Sequence, residues 1–309
     1  MTPLPIKVMK FGGTSVGTID RVQHLVNLVQ AAVGTHRVVV VASALSGVTD
    51  TLVALIESRT WTERVQYLKW MHERHRNFAV LLLHGALLRS YLDELEAQLH
   101  VVRDRLAIHG DATLSPQMHD EVLAMGERLS VPLMARLLGK AGVTAQPVDA
   151  TRLICTDATY QNATVDVGTT YRQVTAWYDA LPGGLVPVVT GFLGATADGH
   201  PTTLGRGGSD YSAALLAAAL DAEVLERWTD TNGIYTADPR LHPDAKRIAT
   251  IVLREAAAWN HAGRIGMHRK ALDPLVTAGI PVHVRSTREP AKPGTQILPS
   301  GVKALPLAS

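Results

Sequence analysis

The 309-residue chain is 46% apolar and 19% charged with a net charge of only +2, which supplies a large core but no concentrated basic face of the kind nucleic-acid binders use. Its single cysteine, Cys155, excludes an internal disulfide and suits a reducing compartment. The N-terminal stretch MTPLPIKVMKFGG lacks a signal peptide's apolar core, and no run of 18 apolar residues exists, so the expectation is a cytoplasmic protein with no membrane or nucleic-acid partner.

IKVMKFGG reads as a strand closed by paired glycines. A helix capped at Thr18 or Asp20 should follow, burying Val22, Leu25, Val26 and Val29 at helical spacing. RVVVVASAL is a second strand whose unbroken β-branched run predicts burial on both faces. A long helical region should run from about Trp61 to His109. Within it MHERHR offers His72 and His75, but not at the spacing of a zinc-binding helix, and a solvated face is the simpler reading. EVLAMGERLSVPLMARLLGKAG is a further helix closed by Gly142, and VTAQPVDA and LICTD are strand and turn. GLVPVVTGFLGATADGHPTT gives a buried strand, then a hairpin about Ala197-Asp198-Gly199. AALLAAALDA is a small-residue helix, EVLERWTD and IPVHVRS are strands, and PSGVKALPLAS is a loosely held tail. Strands alternating with helices predict an α/β fold with a mostly parallel sheet covered on both faces.

Three glycine-bearing loops follow strands: KFGGTSVG, SALSGVTD and LGRGGSD. At the carboxyl ends of parallel strands such loops present backbone N–H groups to anions. Three in one chain fit a site that grips a polyanion and a second charged substrate together. The glycines of TLGRGGSD have no evident packing purpose, so they are expected to admit an anionic ligand. Lys10, entering the first glycine loop, suits bridging phosphates, although a surface lysine at a strand end is the bland alternative. Arg206, flanked by glycines, can clamp a carboxylate with two parallel hydrogen bonds. Ser209 and Asp210 read as an N-cap pair or as anion-site residues. Glu127 reads as an exposed helical glutamate or as a partner for a substrate ammonium or for Lys10. A P-loop, GxGxxG and the protein-kinase motifs are absent.

KFGGTSV, SALSGVTD, GERLS, TGFLG, TTLGRGGSDYSAALLA and WTDTNGIYTADPR occur in the order and at the spacings of the aspartate kinases, and from about Lys7 to Ile297 the chain resembles that branch of the amino acid kinase family. The resemblance implies a three-layer αβα sandwich around a mainly parallel eight-stranded sheet. It implies a catalytic domain over 1–300, with the amino acid held by about 1–195 and the nucleotide by about 196–300, and a tail over 301–309. The implied reaction uses ATP with Mg2+, held mainly by the ATP phosphates, to convert L-aspartate to 4-phospho-L-aspartate, in a possible homodimer. By the same resemblance Lys10, Phe11, Gly12 and Gly13 would meet the β- and γ-phosphates, and Thr229, Asp230, Tyr235 and Arg240 would line the nucleotide site. Ser43 and Thr49 would lie in the acceptor pocket. Glu127 would face the substrate ammonium, Arg206 with Gly207, Gly208 and Ser209 its α-carboxylate, and Asp210 would organise Lys10.

Two departures stand out. Where the family carries GAKVLHP, this chain has GRIGMHR, placing Ile265 at the lysine, with Arg264 one residue away. A smaller difference near the acceptor is Tyr160-Gln161, where Phe-Gly is common. The regulatory ACT domains of typical relatives are not in the sequence, from which an enzyme without lysine or threonine feedback is expected. Two other readings stay open: a kinase for a different amino acid in a specialised metabolite pathway, and a binding homologue that has lost turnover.

Overall fold

The computed structural model describes residues 3–238, 241–259 and 266–300. Strand β1 (Ile6–Phe11) leads through a 3-10 turn at Gly13–Val16 into helix α1 (Ile19–Val33). Thr18 caps that helix by accepting the Arg21 N–H, and Val22, Leu25, Val26 and Val29 are all buried. In β2 (Arg37–Ala42), Val38 and Val40 enter the core on one side of the sheet, and Val39 and Val41 the core on the other. Burial on both faces is why the sequence there does not alternate.

Helices α2 (Val48–Glu57), α3 (Trp61–Leu82), α4 (Gly85–His109) and α5 (Pro116–Lys140) join α1 on the first side. The stretch from Trp61 to His109, expected as one helical region, is therefore broken. Leu83 and His84 are extended and Gly85 takes a φ of 58°, which lets α4 pack back against α3. His75, expected on a solvated face, is instead fully buried, and burial pushes its imidazole pKa down to about 4.

The chain then forms β3 (Ala145–Val148), α6 (Val167–Asp179), β4 (Val186–Thr190), the hairpin β5 (Leu193–Ala195) with β6 (Pro201–Thr203), α7 (Gly208–Ala219) and β7 (Val224–Thr229). A small ribbon, β8 (Ile234–Tyr235) with β9 (Arg247–Ile248), precedes β10 (Thr250–Val252), α8 (Leu253–Trp259), α9 (Arg269–Ala278), β11 (Val282–Ser286) and β12 (Thr295–Leu298). The expected loose tail, 301–309, lies outside the described residues.

Among the described residues eight strands form one sheet in the order β10-β12-β11-β7-β1-β2-β4-β3, parallel throughout except between β11 and β12. Helices α6 to α9 contribute to the second core, on the opposite side from α1 to α5, which completes three αβα layers. β1 is the topological switch point. The chain builds outward to β2, β4 and β3 on one side and to β7, β11, β12 and β10 on the other. In such sheets the crevice beyond the carboxyl ends of the strands flanking the switch is where ligands bind.

Candidate active site

A cleft of about 1060 Å3 opens at that crevice. Its wall includes Lys10 and Gly13 from the end of β1, Ser43 and Thr49 around the start of α2, Glu127 from α5, and the loop from Gly205 to Asp210 that opens α7. Seven expected acceptor-site residues, Ser43, Thr49, Glu127, Arg206, Gly207, Gly208 and Ser209, thus share one cavity with Lys10, Gly13 and Asp210.

At its floor the Lys10 ammonium lies 2.7 Å from Asp210 Oδ1, both side chains largely buried. Burial alone would push the Asp210 carboxyl up, but the charges of Arg227 and Lys10 outweigh it and hold the pKa below the ordinary carboxylate value. Gly12 borders this ammonium: a Cβ there would sit 3.4 Å from Lys10 Nζ, an ordinary contact that would not by itself displace it. Gly13 is tighter: a Cβ would come within 3.2 Å of the Ala44 carbonyl, so the first and second glycine loops touch backbone to backbone. Phe11 itself is fully buried and stacks on Trp228 with ring centroids 6.1 Å apart; it does not line the cleft.

The glycines of the third loop have a different reason from the one the sequence suggested. Gly205 and Gly207 adopt φ of 74° and 76°, a left-handed backbone that β-carbons resist. A Cβ would also meet Asn162 Oδ1 at 2.6 Å from Gly205, His268 Cβ at 2.5 Å from Gly207 and Phe192 Cδ2 at 2.6 Å from Gly208. The close approach these glycines permit is therefore to the protein's own neighbouring segments, which wedge the loop into one conformation. Gly207, not Ser209 or Asp210, is the N-cap of α7, and Ser209 and Asp210 belong to its first turn. Arg206 is exposed on this loop and has no hydrogen bond or ion pair among the described residues.

Glu127 is not an exposed helical glutamate but 4% exposed, because α5 is covered by the sheet and by α2 to α4. Burial raises its pKa to about 8, while the Ala44 N–H, donating to Oε1 at 3.2 Å, and the Lys10 charge pull the other way. Ser43 is held from both ends: its N–H donates to the Phe11 carbonyl at 3.1 Å, and its own carbonyl accepts from Ser130 Oγ at 2.9 Å.

Two residues that pattern reading missed organise the walls. Asp120 accepts from the Gln161 N–H, the Thr203 N–H at 2.8 Å and the Thr203 hydroxyl at 2.9 Å, joining α5, the 157–164 loop and β6. Burial raises its pKa against those donors. It pins Gln161, a cleft residue at the non-glycine φ of 71°. Arg227, on β7, donates from Nε to Asp210 Oδ2 at 3.1 Å and from Nη2 to the Gly266 carbonyl at 2.7 Å. Neither stands in a motif; a signal for Arg227 was available in a charged residue within a central strand.

The expected nucleotide residues Thr229, Asp230 and Tyr235 sit outside the cleft wall, at and beyond the carboxyl end of β7. Thr229 donates to Asp230 Oδ1 at 3.2 Å, and its carbonyl accepts from Thr287. Arg240, Arg264 and Ile265 lie outside the described residues. Among the described residues no group of three or more His, Cys, Asp or Glu side chains is placed to hold a metal ion, and no helix is long and apolar enough to cross a membrane.

Against known proteins, residues 5–286 match the model of the amino acid kinase family. The chain is 37% identical over 297 residues to the lysine-sensitive aspartokinase 3 of Escherichia coli, covering 94% of this chain and 64% of that protein. It is 31% identical to an aspartokinase of Schizosaccharomyces pombe, covering 96% of this chain and 59% of that one. The crystal structure of E. coli aspartokinase III in complex with aspartate and ADP superposes with a TM-score of 0.88 at 35% identity, covering 96% of this chain and 65% of that chain. The chain thus spans less than two thirds of the length of these relatives. The UMP kinase of Bacillus anthracis, at 13% identity and a TM-score of 0.52, shares the fold alone.

Proposed function

The chain belongs to the amino acid kinase family, and from that premise we propose that it transfers the γ-phosphoryl group of ATP, taken as Mg·ATP, to the side-chain carboxylate of L-aspartate. The observation that carries this reading is that one cleft is lined by the buried Lys10–Asp210 pair, by Arg206, whose guanidinium has no partner among the described residues, and by the carboxyl group of Glu127. The likeness to an aspartokinase that binds aspartate and ADP supports aspartate over another acceptor.

The chemistry suits this residue set. An aspartate side chain has a pKa near 4 and is ionised at neutral pH, so no general base is required. The difficulty is bringing two anions together, and catalysis then rests on positioning and charge compensation. Lys10 supplies a buried cation at the floor, and the backbone N–H groups of the glycine loop at Gly12 and Gly13 suit the polyphosphate. Arg206 takes the α-carboxylate of the acceptor, with the Ser209 hydroxyl beside it, and Glu127 takes the α-ammonium. Ser43 and Thr49 bound the acceptor side. Thr229, Asp230, Tyr235 and Arg240 serve the rest of the nucleotide, so that about 1–195 holds most of the amino acid and about 196–300 most of the nucleotide, with Lys10, Gly12 and Gly13 reaching the phosphates from the first segment and Arg206 and Ser209 the acceptor from the second. Magnesium enters with the phosphates, which supply the oxygen ligands this hard cation prefers.

The test is ADP release from Mg·ATP across a panel of amino acids, with hydroxylamine present to trap an acyl phosphate as its hydroxamate. Turnover and hydroxamate with L-aspartate are expected. Turnover with another amino acid and none with aspartate would overturn the substrate, and ADP release without hydroxamate would overturn the carboxylate acceptor.

A further inference from the structure

Lys10 and Arg227 are register partners on the adjacent parallel strands β1 and β7. Their side chains therefore leave the same face of the sheet, and both end on the carboxylate of Asp210 in the first turn of α7. The three side chains are 10%, 16% and 6% exposed. One carboxylate shared by two cations leaves this buried group with a net charge of +1. Without Arg227 the Lys10–Asp210 pair would sum to zero, and the floor of the cleft would lose most of its attraction for a polyanion. Arg227 is also fixed from its far side, because Nη2 bonds the Gly266 carbonyl. Gly266 directly follows Ile265, the position at which the sequence departs from the expected lysine.

We propose that Arg227 is the positioning residue of the nucleotide half of the site: it offsets the charge of Asp210, so that the Lys10 charge stays directed at the polyphosphate. The geometry separates this role from simple core packing. Arg227 lies behind Asp210 and does not line the cleft, so it acts through the carboxylate that Lys10 shares. A guanidinium serves here because it can bond the carboxylate and the Gly266 carbonyl from separate nitrogens at once. The proposal rests on the reading of this cleft as a kinase site.

Calorimetric titration of Mg·ADP and, separately, of L-aspartate tests it on the wild-type chain and on Arg227→Met, Arg227→Gln and Arg227→Lys, each confirmed as folded by circular dichroism. Removing one partly buried charge is expected to weaken Mg·ADP about tenfold in the Met and Gln variants, with aspartate affinity changed less than twofold, and lysine is expected to restore most of the loss. Three results overturn the proposal: Mg·ADP affinity within twofold of wild type in the neutral variants, equal losses for both ligands, or a lysine variant no better than methionine. If neither neutral variant folds, Arg227→Lys decides alone, and a tenfold loss of Mg·ADP affinity in it overturns the charge argument. Nucleotide binding without phosphorylation of aspartate would sink the proposed reaction while leaving the Arg227 comparison intact. A wild-type chain that does not bind Mg·ADP would overturn both.

Discussion

Arg206 and Glu127 illustrate two opposite ways of preparing a side chain for a charged ligand. Arg206 is exposed and unpaired among the described residues, so its removal should leave stability within about 0.5 kcal/mol. Arg206→Ala should raise the KM for aspartate roughly 10- to 100-fold, the scale of a lost charged hydrogen bond; an unchanged KM would take Arg206 out of the pocket. Glu127 is the reverse, a carboxyl group whose folded pKa is raised from 4.5 to about 8 by burial. A pKa raised on folding gives stability that is complete below the unfolded value and is lost as pH climbs through the folded one. Glu127→Gln keeps an acceptor for the Ala44 N–H but does not titrate. Its stability should gain on that of the wild type by an amount that grows between pH 4.5 and about 8, to the order of 5 kcal/mol. Aspartate binding should weaken, since the amide, unlike the carboxyl group, has no proton to give up and cannot meet the incoming ammonium as a charge. Denaturant midpoints against pH that run parallel for the two proteins would refute this account.

At the scale of elements, the binding loop is held by contacts among segments distant in sequence. Gly207 combines a φ of 76° with a would-be Cβ 2.5 Å from His268 Cβ, the N-cap residue of α9. Gly207→Ala should therefore cost more than about 2 kcal/mol, adding backbone strain to overpacking, and should loosen aspartate binding. Unaltered denaturation midpoints would mean that the loop can move away from α9 freely. Helix α3 carries a different liability. His75 is buried, its Nε2 lacks a partner among the described residues, and its folded pKa is about 4, against 6.5. Stability is full above pH 6.5 and falls as acid protonates the unfolded chain first. His75→Leu should relieve this, gaining about 2 kcal/mol on the wild type by pH 5 relative to pH 7. An equal acid slope in the variant would show that His75 accepts its proton while folded.

At the scale of the whole molecule, the cleft draws on β1, the loop before α2, α5 and the turn into α7, so a ligand there ties both helical layers to the sheet. Aspartate at 100 times its dissociation constant should add about 2.7 kcal/mol to global stability; unmoved denaturation midpoints would argue that it does not occupy the cleft. The sequence by itself determined the alternating α/β architecture, the two-sided burial of β2, the helix face of Val22, Leu25, Val26 and Val29, and the loops that line the cleft. These are local properties, written in periodicity, glycine placement and motif spacing, and they survive without knowledge of what lies opposite. The family resemblance extended that to eight strands and three layers. Only the tertiary structure decided the rest. Glu127 and His75 look solvated in a helical pattern, yet other elements cover them, and burial then sets their pKa values. Asp120 and Arg227 belong to no motif and gain meaning from partners 41 and 83 residues away for the first and 17 and 39 for the second. The glycines of the third loop were legible as close approaches, but what approaches them is Asn162, Phe192 and His268, brought there by folding. Burial, electrostatic pairing and steric fit depend on distances between residues far apart in sequence, and one-dimensional order does not encode those distances locally.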